Sequence, residues 1–198
     1  MQLETYRNQH TLKNKTARLV WFWAWLLLFR WTPRPLLGWR RFLLRLFGAR
    51  IGRRAHIYPS ARIWAPWNLE MGDHACISEN VIVYCVDRIR LGDNTVVSQN
   101  VHLCTASHDY TRTDFPLTTA PITINSQAWV CADAYIGPGV EIGEGAVVGA
   151  RAAVFTNVTP WTVVGGNPAR KLKDRERGAC RNGDSPNQET PANLQVIR

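Results

Sequence analysis

The sequence predicts an all-β solenoid, because its apolar residues recur every six positions. Over residues 51–159, every sixth residue is aliphatic, and the residue four places later is small in thirteen of fifteen hexads. This period matches neither the 3.6 residues of an α-helix nor the alternation of a simple strand. It matches a short extended edge followed by a corner, which is the repeat of a parallel β-helix. The aliphatic positions are Ile51, Ile57, Ile63, Met71, Ile77, Val83, Leu91, Val97, Leu103, Ile124, Val130, Ile136, Ile142, Val148 and Val154.

Residues 1–50 predict a helical arm in front of the solenoid. The apolar run at residues 19–29 is shorter than the ~20 residues of a membrane-spanning helix. Residues 36–47 mix leucine and aromatic residues with arginine, as in an amphipathic helix with a basic face. Tryptophan and arginine beside leucine suit the headgroup level of a bilayer, so one interpretation places the arm on the inner membrane. The other interpretation, compatible with the first, is that the helices cap the open end of the solenoid, since terminal repeats need covering.

Segments without the hexad pattern complete the chain. A fifteen-residue loop, residues 109–123, interrupts the repeat, and a long loop of this kind in a regular solenoid is usually functional. The basic stretch at residues 170–175 suggests a short helix. We therefore expect a solenoid domain over residues 51–170 and a basic, disordered tail over residues 171–198.

The net charge of +9 is concentrated in the arm. Residues 1–54 carry twelve Lys or Arg and one acid, whereas residues 55–198 carry twelve bases and fourteen acids. The solenoid therefore lacks the basic surface that nucleic-acid binding requires. The five cysteines are an odd number without CxxC spacing, which argues against a disulfide framework or a zinc site. They suit a reducing cytoplasm.

The hexads, the loop and a closing motif together resemble the hexapeptide-repeat acyltransferases. Ser-His-Asp-Tyr at residues 107–110, followed by a long loop, resembles the catalytic histidine region of sugar O-acetyltransferases. Gly-Asn-Pro-Ala-Arg at 166–170 resembles the family's closing signature, and the lead-in at 39–49 is similar to that of the colanic acid biosynthesis acetyltransferases. The resemblance implies a left-handed β-helix with three edges and eighteen residues per coil. The uninterrupted blocks of 18, 18, 18 and 36 residues then make five coils.

The resemblance also implies a function. It implies an O-acetyltransferase that uses acetyl-CoA as co-substrate and acts on a sugar hydroxyl in exopolysaccharide or lipopolysaccharide biosynthesis. Family members are homotrimers with sites between subunits, and we expect a cytoplasmic protein, peripheral on the inner membrane. Two positions depart from the family pattern: Asn125 replaces a common Gly, and Phe-Thr-Asn at 155–157 replaces a common Thr-Lys-Asp. A lysine that would help bind the CoA phosphates is therefore missing.

His108 is the predicted general base. An imidazole can take a proton from a hydroxyl as that hydroxyl attacks a thioester, and His108 ends a hexad where the long loop departs. Asn100 resembles the family's asparagine that lines the acceptor pocket. Asp87 breaks the small-residue rule of its hexad, which makes it a second acceptor-site candidate. Asp109 is a candidate to orient the histidine, although adjacent residues on an extended chain point apart.

The acetyl-CoA site is expected where the family binds its cofactor. The segment at residues 128–132 resembles the family's tryptophan-containing turn, and the small pair at 149–150 lies where a narrow pantetheine chain would pass. Basic residues after the closing signature are candidates for the CoA phosphates, which guanidinium and ammonium groups recognise well. Alternatively, they form a solvated basic tail. The predicted cofactor-binding residues are Trp129, Ala132, Gly149, Ala150, Arg170 and Lys171.

Two other classes of function fit parts of the sequence. A zinc-dependent hydratase of the γ-carbonic-anhydrase type uses the same solenoid, but it needs three convergent histidines. His102 and His108 are six residues apart, and His74 is the only plausible third ligand, so no metal site is predicted. The second alternative is a non-catalytic solenoid that the arm tethers to a membrane. Such a protein would not bind acetyl-CoA.

Overall fold

The computed structural model describes residues 11–176, where two helices precede a three-faced prism. Helix α1, Leu12–Ala24, begins after Thr11, whose side chain accepts a hydrogen bond from a backbone N–H of the first turn. It continues into a π-helical segment, Trp25–Phe29, and helix α2, Leu37–Leu46, follows a short turn. None of the helices in this part of the chain is long and apolar enough to cross a membrane. The disorder expected of the tail beyond residue 176 lies outside the described residues.

Short strands separated by corners build the prism, as the hexads predicted. Each coil contributes three strands, a 3₁₀ turn (Pro66–Asn68) precedes the second coil, and a hairpin interrupts the stack after the third. In chain order the strands are β1 Arg50–Ile51, β2 His56–Ile57, β3 Arg62–Ile63, β4 Leu69–Met71, β5 Cys76–Ile77, β6 Ile82–Tyr84, β7 Ile89–Leu91, β8 Val96–Val97, β9 His102–Cys104, β10 Ala106–His108, β11 Leu117–Thr119, β12 Ile122–Ile124, β13 Trp129–Val130, β14 Tyr135–Ile136, β15 Glu141–Ile142, β16 Val147–Val148, β17 Ala153–Val154, β18 Thr162–Gly165 and β19 Arg170–Asp174.

Each face of the prism is a parallel sheet with one strand from each coil. Face A has the order β1-β4-β7-β12-β15, face B the order β2-β5-β8-β13-β16-β18, and face C the order β3-β6-β9-β14-β17. The prism is a left-handed β-helix. Strand β18 and a bridge between Ile142 and Val158 extend the stack into a partial sixth turn, which the prediction of five coils did not include.

The interior of the prism is a column of aliphatic side chains. All fifteen hexad positions are buried, with at most 7% of any side chain exposed, and twelve of the thirteen small residues four places later are also buried. Ser107 is the exception and is exposed, because the chain leaves the prism there. At this corner of the first three coils, the buried residues are instead Ala65, Cys85 and Thr105. Two extra residues lengthen the corner before the next coil starts.

The arm covers the open end of the first coil. Along the strands, each coil donates its backbone N–H groups to carbonyls of the next coil, so the first coil keeps a row of carbonyls without a strand partner. Five of these carbonyls accept hydrogen bonds from arginine and tryptophan side chains of the arm, at 2.6–3.1 Å. The pairs are Arg45 with Ile51, Arg41 with Ala55, Arg40 with Ile57, Trp25 with Ala61 and Trp21 with Ile63.

The closing segment forms a strand where the sequence suggested a short helix. Residues 170–174 are strand β19, which pairs antiparallel with β18 and pairs Val163 with Lys173. The turn after β18 reverses the chain, so β19 runs along the outer side of the last strand of face B. The hydrogen bonds that this sheet edge offers outweigh the helix preference of the basic residues, because an uncovered edge leaves backbone groups unpaired.

Stacked glycines at the corner after face A generate a stability prediction. A Cβ added to Gly52 would lie 2.4 Å from the carbonyl carbon of Gly72, so the backbone would have to move. We expect Gly52→Ala to lower the free energy of unfolding by about 1–3 kcal/mol, measured by chemical denaturation. Gly38→Ala in α2 is the control, because its added Cβ meets nothing closer than 4.0 Å. Equal stability of the two variants would contradict this account of the corner.

Candidate active site

His108 lies in a hairpin that leaves the prism at the end of face C. Strand β10 pairs antiparallel with β11, which places His108 opposite Leu117. The hairpin begins at Ala106, three residues before the predicted loop, because residues 106–108 pair within the hairpin although they fit a hexad. The chain rejoins face A at Ile122, two residues earlier than the hexad frame implied.

Thr105 anchors the root of this hairpin. Its hydroxyl donates a hydrogen bond to the Tyr84 carbonyl at 2.9 Å and accepts one from the Asp87 N–H at 3.0 Å. Its own carbonyl accepts a hydrogen bond from the Ala120 N–H at 3.0 Å, where the hairpin returns. Thr105 is fully buried. Both ends of the hairpin are therefore tied to the second coil, and Asp87 lies beside the hairpin root.

The contacts of His108 determine which ring nitrogen can accept a proton. Its Nδ1 lies 3.0 Å from the Phe115 carbonyl, and its ring stacks on the Phe115 ring with centroids 4.3 Å apart. Since a carbonyl oxygen only accepts hydrogen bonds, we assign the proton to Nδ1, which leaves the lone pair on Nε2. Phe115 has a φ of +47°, which is unusual for a bulky residue and indicates that neighbouring contacts impose the turn.

Asp109 stabilises the loop and not the imidazole. Its Oδ1 accepts hydrogen bonds from the hydroxyl and the backbone N–H of Thr111, and these bonds lower the pKa of the Asp109 carboxyl. Further along the loop, Arg112 pairs with Asp114 at 2.8 Å. The partner that orients the imidazole is the Phe115 carbonyl. Sequence reasoning gave no role to Phe115 or Thr105, because no repeat or motif marks either position.

Most of the predicted cofactor-binding residues lie near the edge between faces B and C. Ala132 follows β13, while Gly149 and Ala150 follow β16 one coil later. A Cβ at Gly149 would lie 3.1 Å from a backbone oxygen, so only glycine fits there without a shift of its neighbour. Trp129 on β13 is 46% exposed, and its indole N–H donates to the Ser98 hydroxyl at 2.9 Å.

The two basic candidates lie on β19 beside the same edge. The Ala169 N–H donates to the Ala153 carbonyl at 2.8 Å, which holds the start of β19 against the end of the prism. Arg170 is exposed, and its guanidinium donates to the Ala169 carbonyl. Lys171 forms an exposed ion pair with Asp174 at 2.7 Å. Both cationic groups are therefore accessible from solvent.

Face C separates the predicted site residues of one chain into two groups. His108 and Asp87 lie at the edge between faces C and A. Asn100, expected beside His108, lies in the turn before β9, at the edge between faces B and C with the cofactor residues. A three-residue strand such as β9 is about 10 Å long, so His108 and Asp87 do not meet the cofactor candidates within one chain.

The three-faced prism with a histidine hairpin after its third coil defines a class, the hexapeptide-repeat acyltransferases. No protein-family model matches the chain. However, the chain is 42% identical over 156 residues to the "Putative colanic acid biosynthesis acetyltransferase WcaF" of Escherichia coli (strain K12). This similarity covers 79% of this chain and 86% of that protein. The chain therefore belongs to the family of hexapeptide-repeat acetyltransferases that includes this relative.

Solved structures support the same assignment. A maltose O-acetyltransferase from Clostridium difficile 630 superposes with a TM-score of 0.76 at 25% identity, covering 84% of this chain and 90% of that one. A hexapeptide-repeat acetyltransferase from Vibrio cholerae O1 biovar eltor, complexed with acetyl coenzyme A, gives a TM-score of 0.77 at 26% identity. That match covers 87% of this chain and 94% of the other.

The hydrogen bonds of Thr105 generate a prediction about the hairpin root. Thr105→Val keeps the shape of the side chain but leaves the Tyr84 carbonyl and the Asp87 N–H without this partner. We expect a loss of about 1–3 kcal/mol in the free energy of unfolding. Thr118→Val is the matched control, since Thr118 is exposed on β11 and makes no side-chain hydrogen bond among the described residues. Coincident denaturation curves for the two variants would refute the anchoring role.

Proposed function

We propose that the protein is an acetyl-CoA-dependent O-acetyltransferase that modifies a sugar hydroxyl during exopolysaccharide or lipopolysaccharide biosynthesis. The observation that carries this proposal is the hydrogen bond between His108 Nδ1 and the Phe115 carbonyl, which leaves Nε2 as a proton acceptor. Family membership supports the reaction class, and the complex of the Vibrio cholerae neighbour with acetyl coenzyme A supports the co-substrate. The name of the Escherichia coli relative refers to colanic acid biosynthesis, which supports a role in polysaccharide assembly.

His108 acts as general base in a direct transfer. The acceptor hydroxyl donates its proton to Nε2 while its oxygen attacks the thioester carbonyl of acetyl-CoA. Backbone N–H groups stabilise the oxyanion that forms. The C–S bond then breaks, the CoA thiolate takes the proton from the imidazolium, and the sugar carries a new acetyl ester. Asn100 and Asp87 position the acceptor sugar.

Two copies of the chain complete each site in a homotrimer. Because face C separates His108 from the cofactor residues, a neighbouring copy supplies the edge between faces B and C. Acetyl-CoA lies along that edge, with Trp129 and the small corner residues beside the pantetheine chain. Arg170 and Lys171 bind the CoA phosphates. Lys171 loses little when it exchanges its ion pair with Asp174, since exposed pairs contribute only about 0–1 kcal/mol.

The arm holds the protein on the cytoplasmic face of the inner membrane. Twelve of the eighteen exposed large apolar side chains within residues 11–176 belong to the arm. Residues 11–47 also contain eight Lys or Arg and no acid. A concentration of exposed apolar side chains on one element favours an interaction site, and a basic, tryptophan-rich helix suits an anionic bilayer surface. Capping and membrane contact use different residues of the same arm, so the two roles are compatible.

The two alternative functions receive less support. Within residues 11–176, no three His, Cys, Asp or Glu side chains lie together as a metal-binding group, so a zinc hydratase has no candidate site in that part of the chain. Acetyl-CoA should raise the thermal unfolding midpoint of an acetyltransferase, whereas it should leave that of a non-catalytic solenoid unchanged.

Replacement of His108 tests the mechanism. We expect His108→Ala to lower kcat for acetyl transfer to a sugar acceptor by about 10²–10⁴-fold, because general-base catalysis is lost. The thermal shift on acetyl-CoA binding should persist. His74→Asn is the control, because His74 is exposed at another corner with a φ of +57°, which asparagine tolerates. Unchanged turnover in His108→Ala would remove the histidine from the mechanism.

A further inference from the structure

The loop of the histidine hairpin, residues 109–116, holds a strained residue beside the imidazole of His108. Phe115 has a φ of +47° although it precedes Pro116, and a residue before proline favours extended backbone with a negative φ. A bulky side chain also disfavours the left-handed conformation. Strain of this kind persists only where surrounding contacts impose it, and it concentrates at functional sites. The conformation of Phe115 therefore points to a functional constraint.

Hydrogen bonds within the loop hold Phe115 in this conformation. The Asp109 N–H donates to the Pro116 carbonyl at 3.0 Å, which closes the base of the loop. The Phe115 N–H donates to the Arg112 carbonyl at 3.3 Å, and the ion pair between Arg112 and Asp114 lies in the same turn. Phe115 is thus fixed between the base and the tip of the loop.

The strained turn brings two different groups of Phe115 to one imidazole. The Phe115 carbonyl accepts the hydrogen bond from His108 Nδ1 at 3.0 Å. The Phe115 ring lies parallel to the imidazole, with 5° between the two planes and 4.3 Å between the centroids. Any side chain at position 115 would leave the carbonyl in place, so the hydrogen bond does not require an aromatic residue. The ring adds a second interaction, which acts on the face of the imidazole.

The electrostatics of this stack favour a charged imidazole. The face of an aromatic ring carries partial negative charge, and it attracts a cation within about 6 Å of the ring centroid. In the proposed mechanism, His108 becomes positively charged when Nε2 takes the proton of the acceptor hydroxyl. The Phe115 ring lies within reach of that charge. The two carboxylates of the loop, Asp109 and Asp114, bond to other residues of the loop.

We propose that the ring of Phe115 is a positioning group that stabilises the protonated imidazole of His108 during acetyl transfer. The positive charge forms when the hydroxyl proton reaches Nε2, and it disappears when that proton passes to the CoA thiolate. Because the charge is absent before the reaction, an attraction for it lowers the barrier instead of only tightening binding. This inference rests on the proposed mechanism and gives the side chain of Phe115 a role besides that of its carbonyl.

Removal of the ring is the first test. Phe115→Leu keeps the carbonyl and an apolar side chain. We expect it to lower kcat about 2–30-fold in the assay used for His108→Ala, because the attraction between ring and cation is lost. The KM for acetyl-CoA and the thermal shift on its binding should be unchanged, which shows that the variant is folded. Tyr58→Leu is the matched control and should leave kcat at the wild-type value, since Tyr58 stacks on His56 in the first coil, with centroids 5.0 Å apart.

A fluorinated ring separates the charge effect from packing. Pentafluorophenylalanine at position 115 keeps a planar ring that can stack on a neutral imidazole, but its fluorine atoms withdraw negative charge from the ring face. We expect a kcat at least as low as that of Phe115→Leu. A wild-type kcat with the fluorinated ring would overturn the proposal, whatever the effect of leucine. A wild-type kcat in Phe115→Leu would overturn it as well.

Proton NMR spectra test the stack independently of catalysis. The imidazole signals of His108 are identified by their loss in His108→Ala. The ring current of Phe115 should displace these signals, and Phe115→Leu should abolish the displacement. Identical His108 signals in the wild type and Phe115→Leu would overturn the stack and leave the proposed function intact. Failure of the wild type to bind acetyl-CoA would instead overturn the proposed function, and the role of Phe115 with it.

Discussion

The first coil of the β-helix leaves a row of backbone carbonyls without strand partners. The side-chain composition of the arm follows from this constraint. An unsatisfied buried carbonyl costs about 1–3 kcal/mol, and an open strand edge invites pairing with another chain. The arm meets both demands with side chains that have long reach and N–H donors. Arg40 is the central example: it is 1% exposed and also donates to backbone carbonyls of the turn before α2. The arm therefore contains tryptophan and arginine partly because their N–H groups are needed to pair the carbonyls of the first coil.

The interior of the prism has no room for chemistry. Each face contributes one aliphatic side chain per coil, and the corners between faces admit only small residues. Polar groups that act on a substrate must therefore lie on the outer edges or on a segment that leaves the stack. The histidine hairpin is such a segment, and its root at Thr105 occupies the corner position that Cys85 fills one coil earlier. The hairpin thus departs without opening the core.

The sequence predicted the regular parts of the molecule and less of the irregular ones. The hexads predicted the strands and the buried column, whereas the resemblance to the hexapeptide-repeat acyltransferases implied the three faces and the left-handed coil. The hexads misplaced the limits of the hairpin, since residues 106–108 satisfy a hexad equally well and only their pairing with β11 removes them from the stack. The composition of the arm could not separate cap from membrane anchor, because both use the same residue types. Strand β19 depends on a sheet edge that exists only after folding.

The stacked coils also determine how the proposed roles relate in space. Side-chain hydrogen bonds to five carbonyls hold the arm on the first coil, and the hairpin leaves from the third coil. Two strand spacings of about 4.8 Å therefore separate the arm and the hairpin along the axis. No flexible linker intervenes among the described residues of this path. A membrane contact made by the arm would therefore orient the prism as a rigid body and keep His108 at a set height above the lipid. The same cap that completes the backbone of the first coil would then also place the catalytic hairpin.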